Sequence, residues 1–284
     1  MQALQALLPS AFAEDEGPGD VTSEATLEPG HRSRGTLLCK ADGVLAGKAV
    51  MEAVFRYRGL APRIEWMAED GDEIKAGQVL ARVEGDTRGM LACERIILNF
   101  MQRLCGIATA ARRFAEAAAP AKVLDTRKTL PAYRELDKYA VAAGGGENHR
   151  MGLYDRILIK DNHAAACGSV RAAVDRAVAR FGRTLVIEAE VRTLDELESL
   201  LDAPVDIILL DNMNDKTLKT AVKRARAAAP HVKLEASGNL DLARVHKLRN
   251  IGLDYFSVGE ITHSVKALDL SLKIAAAEPG VSRG

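Results

Sequence analysis

From residue 122 onward the sequence alternates between short segments with β-strand character and longer segments with helical spacing. The candidate strands of this region are residues 122–125, 156–160, 185–191, 206–210, 232–236 and 255–258. Such alternation is typical of right-handed βαβ units, which close into a barrel or form an open parallel sheet. A closed α/β barrel needs more strands than these, so the sequence favours an incomplete α/β barrel.

The region before residue 122 is organised differently. Residues up to Gly17 predict a short amphipathic helix, residues 34–46 are strand-like, and residues 50–57 have helical spacing. Between Gly71 and Gly85, short strands are joined by glycine turns. This pattern resembles biotinyl or lipoyl carrier domains, but it lacks a suitable lysine at a hairpin tip. Sandwich-like folding without a carrier role is therefore the better interpretation.

A long helical region is predicted for residues 92–119, with a break at Gly106. Within it, Arg95, Asn99 and Arg103 recur at a spacing that places them on one face of the helix. Such a stripe is ordinarily solvated. It acquires a functional meaning only if this helix lies at an interface between subunits.

Composition limits the possible classes of protein. The chain has 39 basic and 39 acidic residues, so it has no general attraction to nucleic acid or to a membrane surface. The four cysteines contain no C-x-x-C pair, which argues against a zinc ribbon or a redox pair and fits a reducing compartment. Residues 1–10 lack the positively charged N-terminal region of a signal peptide, and no apolar run reaches membrane-spanning length. We therefore predict a soluble, cytoplasmic protein.

Several side chains that can carry positive charge lie close to the ends of predicted strands. They are Arg127, Lys128, His149, Arg150 and Lys160. Any one of them alone would be interpreted as a surface residue. Together they are expected at the carboxyl ends of the strands, where α/β barrels build their active sites. Gathering so much like charge costs several kcal/mol unless an anionic ligand offsets it, so we predict a site for an anionic substrate.

Acidic and glycine-containing segments follow other predicted strands. Glu190 and Asp211 are candidate contacts for Mg²⁺ or for ribose hydroxyls, since Mg²⁺ is usually held by carboxylates and bound phosphate. Carboxylates identified by position alone leave both possibilities open. Ser237-Gly238-Asn239 and Gly259 follow the last predicted strands, where barrels often bind phosphate through backbone N–H groups. A structural turn would explain these short motifs equally well.

The glycine run at Gly144-Gly145-Gly146 is not a dinucleotide-binding fingerprint, because it lacks the G-x-G-x-x-G spacing and does not lead from a strand into a helix. We interpret it as a flexible hinge that presents residues 148–150. The sequence contains no Walker motif, no H-E-x-x-H motif and no nucleophile elbow. Catalysis is therefore predicted to be electrostatic and positional, without a covalent nucleophile.

The sequence resembles the family of quinolinate phosphoribosyltransferases, the carboxylating nicotinate-nucleotide pyrophosphorylases. The segments that carry the resemblance are residues 94–99, 125–129, 144–155, 158–163, 235–239 and 257–264. They occur in the family order over nearly the whole chain, and the block 144–155 is highly specific. Cys105 departs from the sequence motif of the family, which commonly has Ser at this position.

The resemblance implies transfer of a phosphoribosyl group from 5-phosphoribosyl 1-diphosphate to the ring nitrogen of quinolinate, with loss of carbon dioxide. The product would be nicotinate mononucleotide for NAD synthesis. It further implies an N-terminal α/β sandwich beside an open α/β barrel, and a homodimer with shared active sites. We place the sandwich domain at residues 1–108 and the barrel at residues 109–267, with residues 268–284 packing back onto the sandwich.

The same resemblance implies a role for each candidate site residue. The quinolinate carboxylates would be held by Arg127, His149, Arg150, Lys160 and an Arg95 contributed by the other subunit. The residues implied to be catalytic and to face phosphoribosyl diphosphate are Lys128, Glu190 and Asp211, the last two also as ligands of the cofactor Mg²⁺. The 5-phosphate would lie at Ser237, Gly238 and Gly259, with Asn239 beside them.

Other functions remain open alternatives to this prediction. A molybdenum-transport-associated paralogue of the same fold would act on another substrate, but residues 148–150 and 160–163 favour the quinolinate enzyme. A nicotinate-specific, non-decarboxylating transferase would not need so many arginines for one carboxylate. A non-catalytic small-molecule binder predicts ligand binding without turnover.

Overall fold

The computed structural model describes residues 1–276. It contains two compact units. The first comprises Met1–Arg112, Leu130–Gly145 and the described residues from Ser264 onward, and the second comprises Arg113–Thr129 and Gly146–His263. These units divide the chain at other points than residue 108, and the predicted domain boundary stays a prediction.

The described residues form helices and strands in both units. The helices are α1 (Gln2–Asp15), α2 (Val21–Thr26), α3 (Lys48–Tyr57), α4 (Thr87–Ala118), α5 (Arg134–Ala143), α6 (Asp161–Cys167), α7 (Val170–Phe181), α8 (Leu194–Glu198), α9 (Asp215–Ala228), α10 (Leu242–Leu248) and α11 (Glu260–His263). The strands are β1 (Arg32–Cys39), β2 (Gly43–Val44), β3 (Arg63–Trp66), β4 (Glu73–Ile74), β5 (Val79–Asp86), β6 (Lys122–Leu124), β7 (Ile157–Ile159), β8 (Ile187–Val191), β9 (Ile207–Asp211), β10 (Lys233–Ser237), β11 (Tyr255–Ser257) and β12 (Leu270–Ala276). None of these helices is long and apolar enough to cross a bilayer.

The first unit is built on an antiparallel sheet with the strand order β12-β1-β5-β3. Every second residue of β1 is buried, which is the alternation expected of a strand with one face on a core. β12 pairs with β1 in a register that places Leu37 opposite Leu272. The remainder of the segment predicted to pack back, residues 277–284, lies outside the described residues.

The predicted break at Gly106 is wrong, because α4 is a continuous helix through that residue. Gly106 is required by packing instead. A Cβ at this position would lie 2.3 Å from the carbonyl oxygen of Lys266, so the backbone of residues 266–267 can approach α4 only where a side chain is absent.

Residues 130–145 pack within the first unit. Asp137 of α5 is fully buried and accepts hydrogen bonds from Nε and Nη2 of Arg103 at 3.1 and 2.8 Å. The ring of Tyr133 stacks on Phe100 at a centroid distance of 5.5 Å. A bidentate ion pair and an aromatic contact therefore join α5 to α4.

The second unit is built on a six-stranded parallel sheet with the order β6-β11-β10-β9-β8-β7. All the strands predicted from residue 122 onward are present. β6 and β7 form the two edges of the sheet, so within the described residues the barrel is not closed. The predicted fold class, an N-terminal α/β sandwich with an incomplete α/β barrel, is confirmed.

Helices of the second unit begin at side-chain caps that satisfy their free N–H groups. The capping box predicted for α8 is present: Thr193 Oγ1 accepts a hydrogen bond from the N–H of Glu196, and the Glu196 carboxylate accepts one from the N–H of Thr193. The side chains of Asn214 and Asp241 accept hydrogen bonds from the N–H groups of Thr217 and Arg244 and so cap α9 and α10. Each cap lies only a few residues after a strand, so the strand-to-helix connections are short. The polar side chains at the strand ends therefore have defined positions.

Candidate active site

Polar side chains line one side of the parallel sheet. In the register of the strands, Asp211 lies opposite Ser237, and Ser237 lies opposite Ser257. Since residues two apart in a strand point to the same side, Glu188 lies below Glu190 on β8, and Glu235 lies below Ser237 on β10. We call the polar groups around Glu188 and Glu235 the lower layer. The groups around Glu190, Asp211 and Ser237, nearer to the carboxyl ends of the strands, form the upper layer.

The lower layer consists of groups that are almost completely buried. Glu188 and Glu235 are both 0% exposed. The Nε2 atom of His149 lies 3.1 Å from Oε2 of Glu188 and 3.8 Å from Oε1 of Glu235. Arg156 Nη1 lies 3.1 Å from Oε2 of Glu188, and the hydroxyl of Ser257 donates a hydrogen bond to Glu235. Arg156 and His149 thus contact Glu188, whereas Oε2 of Glu235 has no hydrogen-bond partner among residues 1–276.

This arrangement favours the protonated form of Glu235. Burial raises the pKa of Glu235 well above that of an ordinary glutamate, and the nearby negative charge of Glu188 raises this pKa further. The ligand atoms of His149, Glu188 and Glu235 lie within 4.8 Å of one another, a spacing that a metal ion could also use. Because Arg156 already supplies a positive charge to Glu188, a proton on Glu235 accounts for the cluster better than a metal ion.

The hydrogen bonds also assign the tautomer of His149. The backbone N–H of Arg150 donates to Nδ1 of His149 at 2.7 Å, so the ring proton belongs on Nε2, which faces Glu188. Asp125, fully buried at the end of β6, accepts a hydrogen bond from the N–H of His149 at 2.9 Å. The segment that carries His149 is therefore fixed by contacts to β6 and to the lower layer.

Arg150 follows directly and is 8% exposed. Burial lowers the pKa of Arg150, and the positive charge of Arg127, the next largest cause, lowers it further. The two guanidinium groups are thus close enough to interact. Arg127 itself is exposed, so an anionic ligand could reach both groups from the solvent side.

The upper layer gathers several carboxylates around one guanidinium group. Arg192 Nη2 lies 3.0 Å from Oδ2 of Asp161 and 3.3 Å from Oε1 of Glu190, and its Nε atom donates to Oδ2 of Asp211 at 3.3 Å. Lys160 Nζ lies 3.9 Å from Oε2 of Glu190. Burial raises the pKa of Glu190, and the charge of Asp211 adds to this effect.

Glu190 and Asp211 have the donor chemistry of Mg²⁺ ligands, and the cofactor itself stays a prediction. Both are almost buried and offer the hard oxygen atoms that Mg²⁺ prefers. A single cationic group, the guanidinium of Arg192, already bridges them. The two carboxylates are therefore close enough for one guanidinium group to contact both.

The glycine-containing turns after β10 and β11 are sterically constrained. Gly238 has φ +88°, and a Cβ there would lie 2.1 Å from Oδ1 of Asn212. Asn239, with φ 51°, donates to the same Oδ1 atom at 3.4 Å. After β11, a Cβ on Gly259 would lie 3.0 Å from Cδ of Lys128 and 3.1 Å from Cδ2 of His263. A side chain at either position would collide with these neighbours, so packing restricts both turns to glycine.

Most of the predicted site residues therefore lie at the strand ends of the second unit. Arg127 approaches Arg150, Lys160 approaches Glu190, and Lys128 approaches Gly259. Arg95 is an exposed residue of α4 in the first unit, and its predicted role in a neighbouring subunit stays a prediction. Sequence reasoning assigned no role to Asp161, Arg156, Glu188, Arg192, Glu235 and His263. Their position in the sequence could have identified them, since most of these residues lie within a strand or directly beside a strand end.

Guanidinium groups bind carboxylates, and exposed backbone N–H groups bind phosphate. Their placement at the carboxyl ends of an open α/β barrel defines a class of enzymes that act on phosphorylated and carboxylated small molecules. Two family models narrow this class. Residues 20–105 match the N-terminal domain and residues 107–273 the C-terminal domain of quinolinate phosphoribosyl transferase.

Individual relatives agree with these matches. A quinolinate phosphoribosyltransferase [decarboxylating] of Nicotiana tabacum is 41% identical over 95% of this chain and 82% of its own length. A probable nicotinate-nucleotide pyrophosphorylase [carboxylating] of Bacillus subtilis is 39% identical over 98% of this chain and 96% of its own length. The crystal structure of NadC from Streptococcus pyogenes superimposes with a TM-score of 0.91 at 37% identity, covering 97% of this chain and 98% of that one. This chain belongs to the quinolinate phosphoribosyltransferase family.

Proposed function

We propose that this protein transfers the phosphoribosyl group of 5-phosphoribosyl 1-diphosphate to the ring nitrogen of quinolinate. The reaction releases diphosphate and carbon dioxide and yields nicotinate mononucleotide for NAD biosynthesis. The observation that carries the proposal is that one strand-end face holds both the Arg127–Arg150 group and the Glu190–Asp211 pair. The family relationship makes the protein a pentosyltransferase of the carboxylating nicotinate-nucleotide pyrophosphorylase type.

The first task of such an enzyme is to bring two anions together. Quinolinate is a dianion, and its partner carries a phosphate and a diphosphate, so their approach is opposed by Coulomb repulsion. We assign the quinolinate carboxylates to Arg127 and Arg150, with Lys160 and His149 beside them, because planar guanidinium groups match carboxylates in a bidentate manner. Lys128, next to Gly259, is assigned to the phosphoribosyl diphosphate.

The second task is to stabilise charge during bond cleavage. As the bond from ribose C1 to diphosphate breaks, the diphosphate takes the electron pair and the ribose ring becomes cationic. The carboxylates of Glu190 and Asp211 stabilise this cation, and the quinolinate nitrogen then attacks C1. We assign Mg²⁺ to the same two carboxylates, where it would neutralise the leaving diphosphate. Backbone groups at Ser237, Gly238 and Gly259 hold the 5-phosphate.

The third task is the loss of carbon dioxide. After ribosylation the ring nitrogen is cationic and accepts electron density from the bond to the adjacent carboxylate. That carboxylate leaves as neutral carbon dioxide, and the ring carbon takes up a proton. Arg150 and His149 are buried, so they orient the carboxylates in a region with little water, and the electron sink is the cationic ring itself.

Release of labelled carbon dioxide from quinolinate tests this function. Quinolinate labelled in the carboxylate next to the nitrogen is incubated with the protein, with and without phosphoribosyl diphosphate and Mg²⁺. We expect release only when both are present. In a parallel reaction with nicotinate, transfer without release from quinolinate would favour a nicotinate-specific transferase. Binding of quinolinate without release would favour a non-catalytic binder.

We also propose that the protein is a homodimer with shared sites and acts in the cytoplasm. The exposed Arg95 and Asn99, one turn apart on α4, are the residues that would complete a neighbouring site.

The proposed location is supported by the cysteines. Free thiols at Cys39, Cys93, Cys105 and Cys167 suit a reducing compartment. The names of some plant relatives include mitochondrial or chloroplastic, so cell fractionation is the direct measurement of location.

A further inference from the structure

Arg192 lies where the proposed function requires a metal ion. Its guanidinium contacts Glu190 and Asp211, the carboxylates assigned to Mg²⁺. Lys160, by comparison, lies within ion-pair distance of Glu190, at 3.9 Å. The side chain begins directly after β8, only two residues beyond Glu190, so its position follows from the strand end itself.

The contacts of Arg192 differ in length. Its shortest ion pair, at 3.0 Å, is with Asp161, which is not one of the assigned metal ligands. Its contacts with Glu190 and Asp211 are each 3.3 Å. The Arg192 side chain is 50% exposed, whereas those of Glu190 and Asp211 are 6% and 11% exposed. The guanidinium can therefore leave the buried pair toward solvent and keep Asp161 as a partner.

We propose that Arg192 is the resident counter-cation of the Glu190–Asp211 pair and excludes free divalent metal until phosphoribosyl diphosphate is present. A guanidinium and a divalent ion cannot share two carboxylates, because their mutual repulsion at contact distance is large. The additional negative charge of the diphosphate removes this conflict. It compensates the metal ion and offers Arg192 an anionic partner outside the pair. The inference rests on the proposed function only for the identity of this anion.

Metal binding to the substrate-free protein tests the proposal without turnover. Mn²⁺ is titrated into the protein, and free Mn²⁺ is measured by electron paramagnetic resonance. The variants are Arg192→Gln, Arg192→Lys and the double variant Arg192→Gln with Asp211→Asn. Arg183→Gln is the matched control, because Arg183 is also half exposed and ion-paired, but with Asp206 outside the upper layer. Circular dichroism verifies that each variant is folded.

We expect Arg192→Gln to bind Mn²⁺ at least about tenfold more tightly than the wild type, since a competing positive charge has been removed. Arg192→Lys, which keeps the charge, should remain near the wild type, and so should Arg183→Gln. The gain should disappear in the double variant. Adding phosphoribosyl diphosphate should increase Mn²⁺ affinity more in the wild type than in Arg192→Gln.

Several results would overturn the proposal: equal Mn²⁺ affinity in Arg192→Gln and wild type, equal gains in the Gln and Lys variants, or a gain that survives Asp211→Asn. The proposed function is judged separately, by release of labelled carbon dioxide from the wild type. Normal release with unchanged Mn²⁺ affinity in Arg192→Gln would reject the role of Arg192 alone. A tighter site in Arg192→Gln without any release by the wild type would reject the reaction while leaving the counter-cation in place.

Discussion

The Nε2 atom of His149 lies 3.1 Å from the carboxylate of Glu188, a residue with no exposed surface. Arg156 contacts the same carboxylate at 3.1 Å. Glu188 therefore connects the segment that carries the predicted substrate-binding residues to the interior of the parallel sheet. Burial and the charge of Glu188 raise the pKa of its neighbour Glu235, and the effect of this shift on stability can be measured.

Glu235→Gln should change the pH dependence of stability. Because the pKa of Glu235 is raised on folding, by burial and then by Glu188, the folded protein keeps a proton that the unfolded chain loses above its ordinary pKa. The free energy of unfolding thus falls as pH rises from the unfolded toward the folded pKa. Gln carries no such proton, so urea unfolding between pH 5 and pH 8 should show the wild type losing stability relative to the variant. Parallel curves for the two proteins would contradict a protonated Glu235.

Arg127→Ala should lower quinolinate turnover by about 100-fold or more, a loss of roughly 3 kcal/mol of transition-state stabilisation, since a charge-assisted bidentate contact is removed. Arg127 is exposed, so the fold should be retained. Steady-state kinetics give the first quantity and thermal unfolding the second. Arg224→Ala, which removes an exposed arginine paired with Glu198, is the control and should remain fully active. Wild-type activity in Arg127→Ala would remove this residue from the site.

Gly238→Ala should raise the KM for phosphoribosyl diphosphate. The backbone of Gly238 has positive φ, and a Cβ would collide with Asn212, which in turn donates from Nδ2 to Asp211 at 2.8 Å. Gly168→Ala separates backbone strain from this collision, since Gly168 also has positive φ but open space around it. We expect an increase of at least about tenfold for Gly238→Ala, and no change for Gly168→Ala beyond a loss of stability of about 1 kcal/mol. Equal KM values in both variants would argue against a phosphate site at this turn.

Mixing inactive subunits should restore activity if active sites are shared. Arg95→Ala and Lys160→Ala proteins, each inactive alone, are dissociated together and allowed to reassociate. A mixed dimer would contain one site that carries both substitutions and one that carries neither, so about a quarter of wild-type activity is expected from random pairing. Mass spectrometry of intact dimers verifies that mixed pairs form. Mixed dimers without activity would show that Arg95 does not serve a neighbouring site.

Gly106→Ala should destabilise the protein by about 3 kcal/mol or more, because the new Cβ would collide with the rigid carbonyl of Lys266. Gly89→Ala in the same helix is the matched control. There the Cβ would meet Cδ1 of Leu60, the end of a side chain that can move, so the change should stay within about 1 kcal/mol. Urea unfolding of both variants measures the difference. Similar losses in the two would mean that helix propensity, and not packing, governs these positions.

Much of the fold was predictable because its signals are local. The strands of the parallel sheet follow from short apolar segments between helical ones, and the start of α8 follows from Thr193 and Glu196. β3 was missed, since Arg63–Trp66 is a short edge strand whose charged and half-buried residues give a weak pattern. The break predicted at Gly106 failed because the reason for that glycine is a backbone segment 160 residues further along the chain.

By itself the sequence determined which residues stand at the strand ends, and so where Arg127, Lys160 and Glu190 would be found. Only the tertiary structure decided that Glu188 and Glu235 form a buried layer beneath His149, and that Arg192 bridges Glu190 and Asp211. The physical reason is that hydrophobic periodicity acts over a few residues and defines each element. Contacts between charged groups depend instead on strand register, which brings together side chains that are distant in the sequence.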